Sequence, residues 1–277
     1  QKLKFNNIIM KHIQQFMRAF LLMTIAGFML SMYVNAQEYR YTDSWGKHGF
    51  ELTQQKTTGV QVNYSITGFS LEDMLLDGES MVNIELPGNL LFNNEGAPNL
   101  PGSGRYLAIP EGATAYVTIT SSRTETLSNV HLAPAPRIPW ETEDGPLDYN
   151  KDEAIYTKDA FYPEQPVQLG EVTEIRGVDA VMLGVTPFQY NPETHELIIY
   201  RDLNVEVSFE GGNGYFGEDR LRSRWWDPIM ADLFLNHESL PKINYSQSFQ
   251  AAEDMGCEYL IITPTDAEFL QWADSIK

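Results

Sequence analysis

The clearest alternation of apolar and polar residues along the chain lies at 203–210. Single polar residues separate four apolar ones: Leu203, Val205, Val207 and Phe209. Successive side chains of a strand point to opposite faces, so this period of two predicts a strand buried on one face. Residues 178–185 are almost continuously apolar, which predicts a strand covered on both faces. Asn and Pro at 190–194 favour a turn. We therefore expect residues 176–211 to form two long strands joined by a turn.

Similar apolar segments bounded by Gly and Pro predict further strands at 59–68, 81–86, 105–109 and 115–120, with a short one at 130–133. Residues 37–58 are polar and are expected to form a loop. No helical period precedes residue 224. The pattern favours a mainly β fold, an antiparallel two-sheet β-sandwich.

Residues 134–149 interrupt this pattern with four prolines and a cluster of acidic residues. Proline lacks a backbone donor and is excluded from the interior of helices and central strands, so the segment is predicted to be irregular. Long loops without secondary structure in a compact domain are usually functional or disordered.

Helical spacing begins after residue 224. Asp227 is predicted to be the N-cap and Pro228 the first helical residue of a short amphipathic helix that ends near Leu235. Residues 242–256 are predicted to be a polar linker. An apolar strand at 258–263 and a helix opened by a capping box at 265–268 then predict the first strand–helix step of an α/β domain.

The first 36 residues have the features of a signal peptide: Lys11 and Arg18 precede an apolar run at 20–30, and small residues precede Gln37. Cleavage is predicted between Ala36 and Gln37. A membrane helix is the alternative, but the apolar run is short. The predicted organisation is a leader at 1–36, a β-sandwich at 37–241, a linker at 242–256 and the start of an α/β domain at 257–277.

The chain is strongly acidic, with a formal net charge of −19. The predicted leader contains four positive charges and no acid, so its removal would change the net charge from −19 to −23. This charge argues against binding to nucleic acid. Cys257 is the one cysteine, so an exported form has no internal disulfide. Its place at the start of a predicted strand favours a buried residue over a reactive thiol.

Motifs for metal or nucleophile chemistry are incomplete. None of the five histidines has a metal-ligand spacing. Acidic residues at 148–159 partly match a calcium loop, but Glu153 replaces its glycine and Asp159 its final glutamate, which favours a solvated acidic loop. We expect no metal site and no cofactor in this part of the chain.

Three segments resemble a known family by their order and spacing. They are the Gly-Ala-Pro-Asn-Leu-Pro run at 96–101 ahead of 105–108, the segments 176–178 and 189–194, and the strand at 259–263 ahead of Phe269 and Trp272. Together they resemble the N-terminal part of a gingipain-like precursor of peptidase family C25, a family of secreted cysteine endopeptidases. The resemblance covers about residues 60–277.

The resemblance implies that residues 37–241 are a propeptide that assists folding and covers the active site of a caspase-like catalytic domain beginning near residue 257. The catalytic His and Cys would lie beyond Lys277, and Cys257 does not match the nucleophile. The implied partners are the protein's own catalytic domain, protein substrates and the export machinery. The resemblance implies no cofactor for this part of the chain and is compatible with calcium in the downstream domain. The implied location is secreted or at the cell surface.

Two sites follow from the resemblance. A propeptide loop of the family presents a basic residue to the primary specificity pocket, and Arg137 is the only basic residue of 134–149. The family's register instead places Trp140 or Glu141 at that point, and Arg137 could simply pair with Glu141 or Glu143. Lys242 lies nearest the activation cleavage position. The arginines at 220, 222 and 224 are less favoured because the helix after them is expected to pack.

Two other functions remain open. One is a non-enzymatic β-sandwich for adhesion or carbohydrate binding, which would not need the strand–helix step after residue 257. The other is a surface sortase of the same family, which this part of the chain does not separate from a degradative protease.

Overall fold

The computed structural model describes residues 36–88, 91, 93–217 and 222–243. The predicted leader up to residue 35, most of the predicted linker and the strand–helix step after residue 257 lie outside these ranges. Within them, the secondary structure is dominated by strands: β1 (Ala36–Arg40), β2 (Gly49–Lys56), β3 (Gly59–Ser65), β4 (Gly68–Leu76), β5 (Glu79–Glu85), β6 (Ser103–Ala108), β7 (Ala113–Leu127), β8 (Val167–Leu169), β9 (Thr173–Ile175), β10 (Val178–Val185), β11 (Phe188–Asn191) and β12 (Glu196–Gly211).

Helical structure in the described residues is short. Helix α1 spans Glu153–Tyr156, helix α2 spans Asp227–Leu233, and a 3₁₀ helix spans His237–Ser239. None of these helices is both long and apolar enough to cross a membrane.

The strands form antiparallel sheets, which confirms the predicted mainly β fold. In the described residues the orders are β1-β4-β5, β6-β10-β8 with β9 also on β10, and β11-β12-β3-β2 with β7 on the other edge of β12. The strands thus form three hydrogen-bonded sheets, where the pattern had indicated two. Their buried faces share one apolar core, in which Phe69 of β4 meets Phe188 of β11 edge-on at 5.3 Å between ring centroids.

Strand β12 is central to the largest sheet. It pairs with β3 through residues 202–208 and with β7 through most of its sixteen residues. The four apolar residues at 203, 205, 207 and 209 are buried, whereas Glu206 and Glu210 are exposed. The predicted alternation is therefore confirmed.

The prediction of two long strands across 176–211 is wrong, because the segment contains three. Strand β10 pairs with β6 in one sheet, and β11 pairs with the first residues of β12 in another. Pro187 separates β10 from β11, and since proline has no N–H, the chain can leave one ladder there and join the next. The turn itself is as expected: Asn191 Oδ1 accepts hydrogen bonds from the N–H groups of Glu193 (3.0 Å) and Thr194 (3.3 Å).

The prediction of a loop at 37–58 is also wrong, since this segment contains β1 and β2. Both are edge strands in which no residue is fully buried, so their composition is mainly polar although their backbones are paired. The strand predicted at 130–133 is only an isolated bridge between Leu132 and Val82.

The C-terminal described segment docks on the free edge of β6. The Leu235 N–H donates to Tyr106 O at 2.9 Å. The buried Asn236 side chain accepts from the Ala108 N–H and donates to the Ala108 carbonyl, both at 2.8 Å. A buried amide that satisfies both backbone groups of an edge residue fixes the position of this segment.

The start of α2 differs from the prediction. Trp226 holds the N-cap position and Asp227 is the first helical residue. The Asp227 carboxylate binds the Arg222 guanidinium rather than capping the helix. The segment was expected to pack through Trp225 and Trp226, but both are exposed, and its buried residues are Met230 and Phe234.

Candidate functional site

The irregular segment predicted at 134–149 forms a closed loop, here called the tip loop, residues 137–148. An antiparallel bridge joins its two ends, with the Arg137 N–H donating to Asp148 O at 2.8 Å. All residues from 138 to 148 are exposed. The loop is therefore ordered at its base and open to a partner along its length.

One dipeptide holds both sides of the loop base. Ala135 N donates to Ala97 O at 2.7 Å, and Gly96 N donates to Ala135 O at 3.0 Å. On the other side, Asp152 N donates to Gly96 O at 2.9 Å. The 96–101 run that carries the family resemblance is thus the backbone anchor of the tip loop, a role that its irregular sequence did not reveal.

Gly96 has no room for a side chain. Its φ is +77°, and a Cβ at this position would lie 2.8 Å from Asn150 O and 3.0 Å from Asp152 N. Both the left-handed backbone and the close approach of a second chain segment require glycine there.

Glu143 organises the interior of the tip loop. Its N–H donates to Trp140 O at 2.9 Å, which closes a turn at 140–143. Its Oε2 accepts from the Trp140 N–H at 3.1 Å and lies 2.9 Å from Arg137 Nη1. From the sequence, Glu143 is one of two alternative partners of Arg137, because the contact depends on how the loop closes.

The predicted inhibitory residue Arg137 lies at the loop base and pairs with Glu143. The Glu143 carboxylate raises the pKa of Arg137. In turn, the Trp140 N–H and then the Arg137 guanidinium hold the pKa of Glu143 below its usual value. Both shifts favour the charged forms of the two side chains.

The residues of the partial calcium motif have other roles. Asp152 caps α1, its Oδ1 accepting from the Ala154 N–H at 2.8 Å. Asp159 accepts from the Asn191 side chain at 2.9 Å, and Asn150 donates to Asp148 at 2.7 Å. Among the described residues, no group of three or more His, Cys, Asp or Glu side chains is arranged to hold a metal ion.

The candidate activation site follows Pro241, whose carbonyl is held by a buried arginine. The Arg222 guanidinium is buried, makes two 2.9 Å bonds to Asp227 and also donates to the Pro241 carbonyl. Lys242, the next residue, has a side chain that is 86% exposed and lies 3.5 Å from Glu238. Arg224 packs over the Trp225 ring, and position 220 lies outside the described residues.

The predicted signal-cleavage bond lies at the start of β1. Ala36 and Gln37 are exposed and pair with Glu72 and Leu71 of β4. The first residues after this bond therefore belong to a strand.

Comparisons with known proteins bear on this arrangement. The family profile Propeptide_C25 matches residues 50–242. Lys-gingipain of Porphyromonas gingivalis is 23% identical over 201 residues, which cover 70% of this chain and 12% of that protein. Gingipain R1 of the same organism is 30% identical over 161 residues, covering 57% of this chain and 16% of that protein.

Two solved structures share the fold. A complex of Porphyromonas gingivalis RgpB pro- and mature domains matches with a TM-score of 0.60 at 22% identity, covering 68% of this chain and 97% of the matched chain. A structure described as giving insight into the zymogenic latency of gingipain K, from the same organism, matches with a TM-score of 0.54 at 20% identity, covering 64% and 100%.

The chain belongs to the C25 propeptide family, since the profile covers more than half of its length. It is a gingipain-like propeptide with the β-rich fold of its solved relatives. It spans about an eighth of the length of the Lys-gingipains that it matches.

The first prediction concerns Gly96. We expect Gly96→Ala to destabilise the fold by about 2–3 kcal/mol, because it adds left-handed strain to a steric conflict with the backbone of 150–152. Urea unfolding measures the loss, and limited proteolysis within 137–148 reports the loop. Gly78→Ala is the matched control, since φ there is +86° with nothing within 4 Å of the added Cβ. Equal losses and equal loop cleavage in both variants would contradict the anchor role.

The second prediction concerns pH. The depressed pKa of Glu143 means that its stabilising contacts are present at neutral pH and are lost as pH falls through a value below 4.5, its ordinary pKa. We expect the Trp140 backbone amide signal in NMR spectra to titrate in that acidic window. Glu143→Gln should abolish the transition. A midpoint at or above 4.5 would show that the carboxylate is not held by Trp140 and Arg137.

Proposed function

We propose that this chain is the propeptide region of a secreted cysteine endopeptidase zymogen, in which it assists folding of the downstream catalytic domain and blocks its active site. The family match over residues 50–242 carries this proposal. The relatives that it matches are named as gingipains, and one solved neighbour is a complex of pro- and mature domains. The other solved neighbour is described as giving insight into the zymogenic latency of gingipain K.

The proposed arrangement follows the domains expected from the sequence. Residues 37–241 form the propeptide, 242–256 the linker and 257–277 the first part of the catalytic domain. The nucleophilic cysteine and its histidine would be supplied further along the precursor, where a thiolate attacks the peptide carbonyl. Residues 1–36 would direct export, so the enzyme would act outside the cell or at its surface.

The tip loop is the proposed inhibitory element. It is exposed, is closed at its base and is held on both sides by Gly96 and Ala97. It would therefore lose little conformational freedom when it enters a cleft. Arg137 contributes to inhibition by fixing the loop through Glu143. Loops positioned by a rigid scaffold commonly carry binding residues.

Two observations test the zymogen proposal directly. The reading frame after Lys277 should encode an α/β domain with a histidine and a cysteine at strand ends. The 277-residue chain, added in trans, should inhibit the mature peptidase released from that precursor. A frame without such a domain, or a chain without inhibition, would reject the proposal. The peptide products formed from protein substrates would separate a degradative protease from a sortase.

The third prediction concerns Arg137. We expect Arg137→Ala to raise the inhibition constant by up to about fivefold, because the loop loses the ion pair between Arg137 and Glu143 at its base. Lys151→Ala is the matched control: its side chain is 37% exposed, as is that of Arg137, and it pairs with Glu79 outside the loop. An inhibition constant that stays the same in both variants would remove Arg137 from the inhibitory element.

The fourth prediction concerns activation. We propose cleavage after Lys242, because the chain is anchored up to Pro241 and this lysine is exposed. Lys242→Gln in the complete precursor should block or shift the cut, whereas Arg224→Gln, which changes another exposed basic residue, should not. N-terminal sequencing of the mature enzyme measures the site. A start upstream of Trp225 would contradict the assignment.

A further inference from the structure

A cavity of about 270 Å³ lies on the outer face of the sheet that contains β10. Met182 and Gly184 form its floor, and they alternate along β10 with residues 181, 183 and 185, which belong to the apolar core. Residues 162–166 form a wall of the cavity. No residue of the tip loop borders it, so the cavity is separate from the proposed inhibitory element.

Gly184 leaves space on the cavity floor without being required by the backbone. Its φ lies outside the left-handed region that favours glycine. A Cβ at this position would lie 3.6 Å from Leu91 Cδ1 and 3.8 Å from Gln168 O, which are ordinary van der Waals distances. Glycine inside a strand lowers stability relative to alanine, and it often marks a place where a ligand approaches the backbone.

The wall at 162–166 is held in position by a buried glutamine. The Gln189 side chain donates to the carbonyls of Pro163 and Glu164, at 2.7 Å and 3.1 Å. Its own Oε1 accepts from the Tyr200 hydroxyl, which fixes the orientation of the amide. A cavity with a preformed wall loses little conformational freedom when a ligand enters it.

The lining of the cavity is polar but uncharged. None of its thirteen described residues is acidic, basic or a histidine, although 21% of the whole chain is charged. An amide side chain has both donors and acceptors, so it can bond a hydroxyl group in either sense. Four amide side chains border the cavity, together with one aromatic ring and one thioether: Asn93, Asn94, Gln165, Gln168, Tyr162 and Met182.

Two of these amides make only long contacts with the protein. Asn94 Nδ2 lies 3.4 Å from Tyr162 Oη, and Gln168 Nε2 lies 3.4 Å from Gln165 O. Both distances exceed the usual length of about 2.9–3.0 Å, so ligand hydroxyl groups can compete for these amides. A charged ligand would lose hydration without gaining a counter-charge, and a purely apolar ligand would leave the amides unsatisfied.

We propose that the cavity between β10 and residues 162–166 binds an uncharged sugar residue. The amides of Asn94 and Gln168 bond its hydroxyl groups, and the Tyr162 ring contacts its apolar C–H face. Gly184 admits the sugar ring to the cavity floor. The small volume suits a single ring rather than a larger ligand.

The test titrates the 277-residue chain, labelled with ¹³C at its methionine methyl groups, with glucose, galactose, mannose and N-acetylglucosamine. We expect at least one of these sugars to shift the Met182 methyl signal in NMR spectra, with a dissociation constant of about 2 mM or lower. The signal of Met230, which is buried outside the cavity, should not move. Glucuronate, a charged sugar, should bind at least about tenfold more weakly.

Three variants locate the binding. Gln168→Ala should raise the dissociation constant about fivefold, because one amide is lost. Gln61→Ala is the matched control, since Gln61 is also an exposed glutamine in a paired strand, and it should change the constant by less than about twofold. Gly184→Ala should raise the constant about tenfold, because its methyl group occupies the floor. Its unfolding midpoint should be unchanged or higher, which separates lost binding from lost folding.

Several outcomes would overturn the sugar site. They are an unmoved Met182 signal with all four sugars at about 50 mM, glucuronate binding as tight as that of the uncharged sugars, and an unchanged constant in both Gly184→Ala and Gln168→Ala. A shift caused by the blocked peptide acetyl-Ala-Ala-Ala-amide and by none of the sugars would assign the cavity to peptide and reject the proposal as well. Inhibition of the peptidase is measured separately, so the propeptide function stands or falls by its own test.

Discussion

Strand β12 needs hydrogen-bonding partners on both edges, and much of the fold is arranged to supply them. β3 lies on one edge and β7 on the other. Between them, the Asp202 carboxylate is fully buried and accepts bonds from the Trp45 N–H, Ser65 Oγ and Arg123. A buried carboxylate is tolerated only when its oxygens are paired. Asp202 therefore connects the loop before β2, strand β3 and strand β7 to one point of β12.

This rigid scaffold explains how an irregular segment can hold a defined shape. The tip loop contains four acids and two prolines within 137–148 and has no apolar core of its own. Its order comes from the backbone of Gly96 and Ala97 at the base and from Glu143 within. Gly96 and the Glu143 carboxylate, which contacts both Arg137 and Trp140, thus hold the loop in its closed form.

The C-terminal segment is likewise held on another sheet by side chains that bind backbone groups. Asn236 binds both backbone groups of Ala108, and Arg222 holds the Pro241 carbonyl. These contacts lie before Lys242. A cut after that residue would leave these contacts intact.

Local pattern determined much of this protein from its sequence: the burial of alternate residues in β12, the Asn191 turn, the irregular tip loop and the family resemblance. Tertiary structure decided the rest. The edge strands β1 and β2 have polar sequences because pairing, not burial, defines them. The switch between sheets at Pro187, the outward-facing Trp225 and Trp226, and the Arg137–Glu143 pair depend on which segments meet. Periodicity shows which residues along a strand face the core and which face solvent. Hydrogen bonding and charge pairing depend on partners that are distant in sequence.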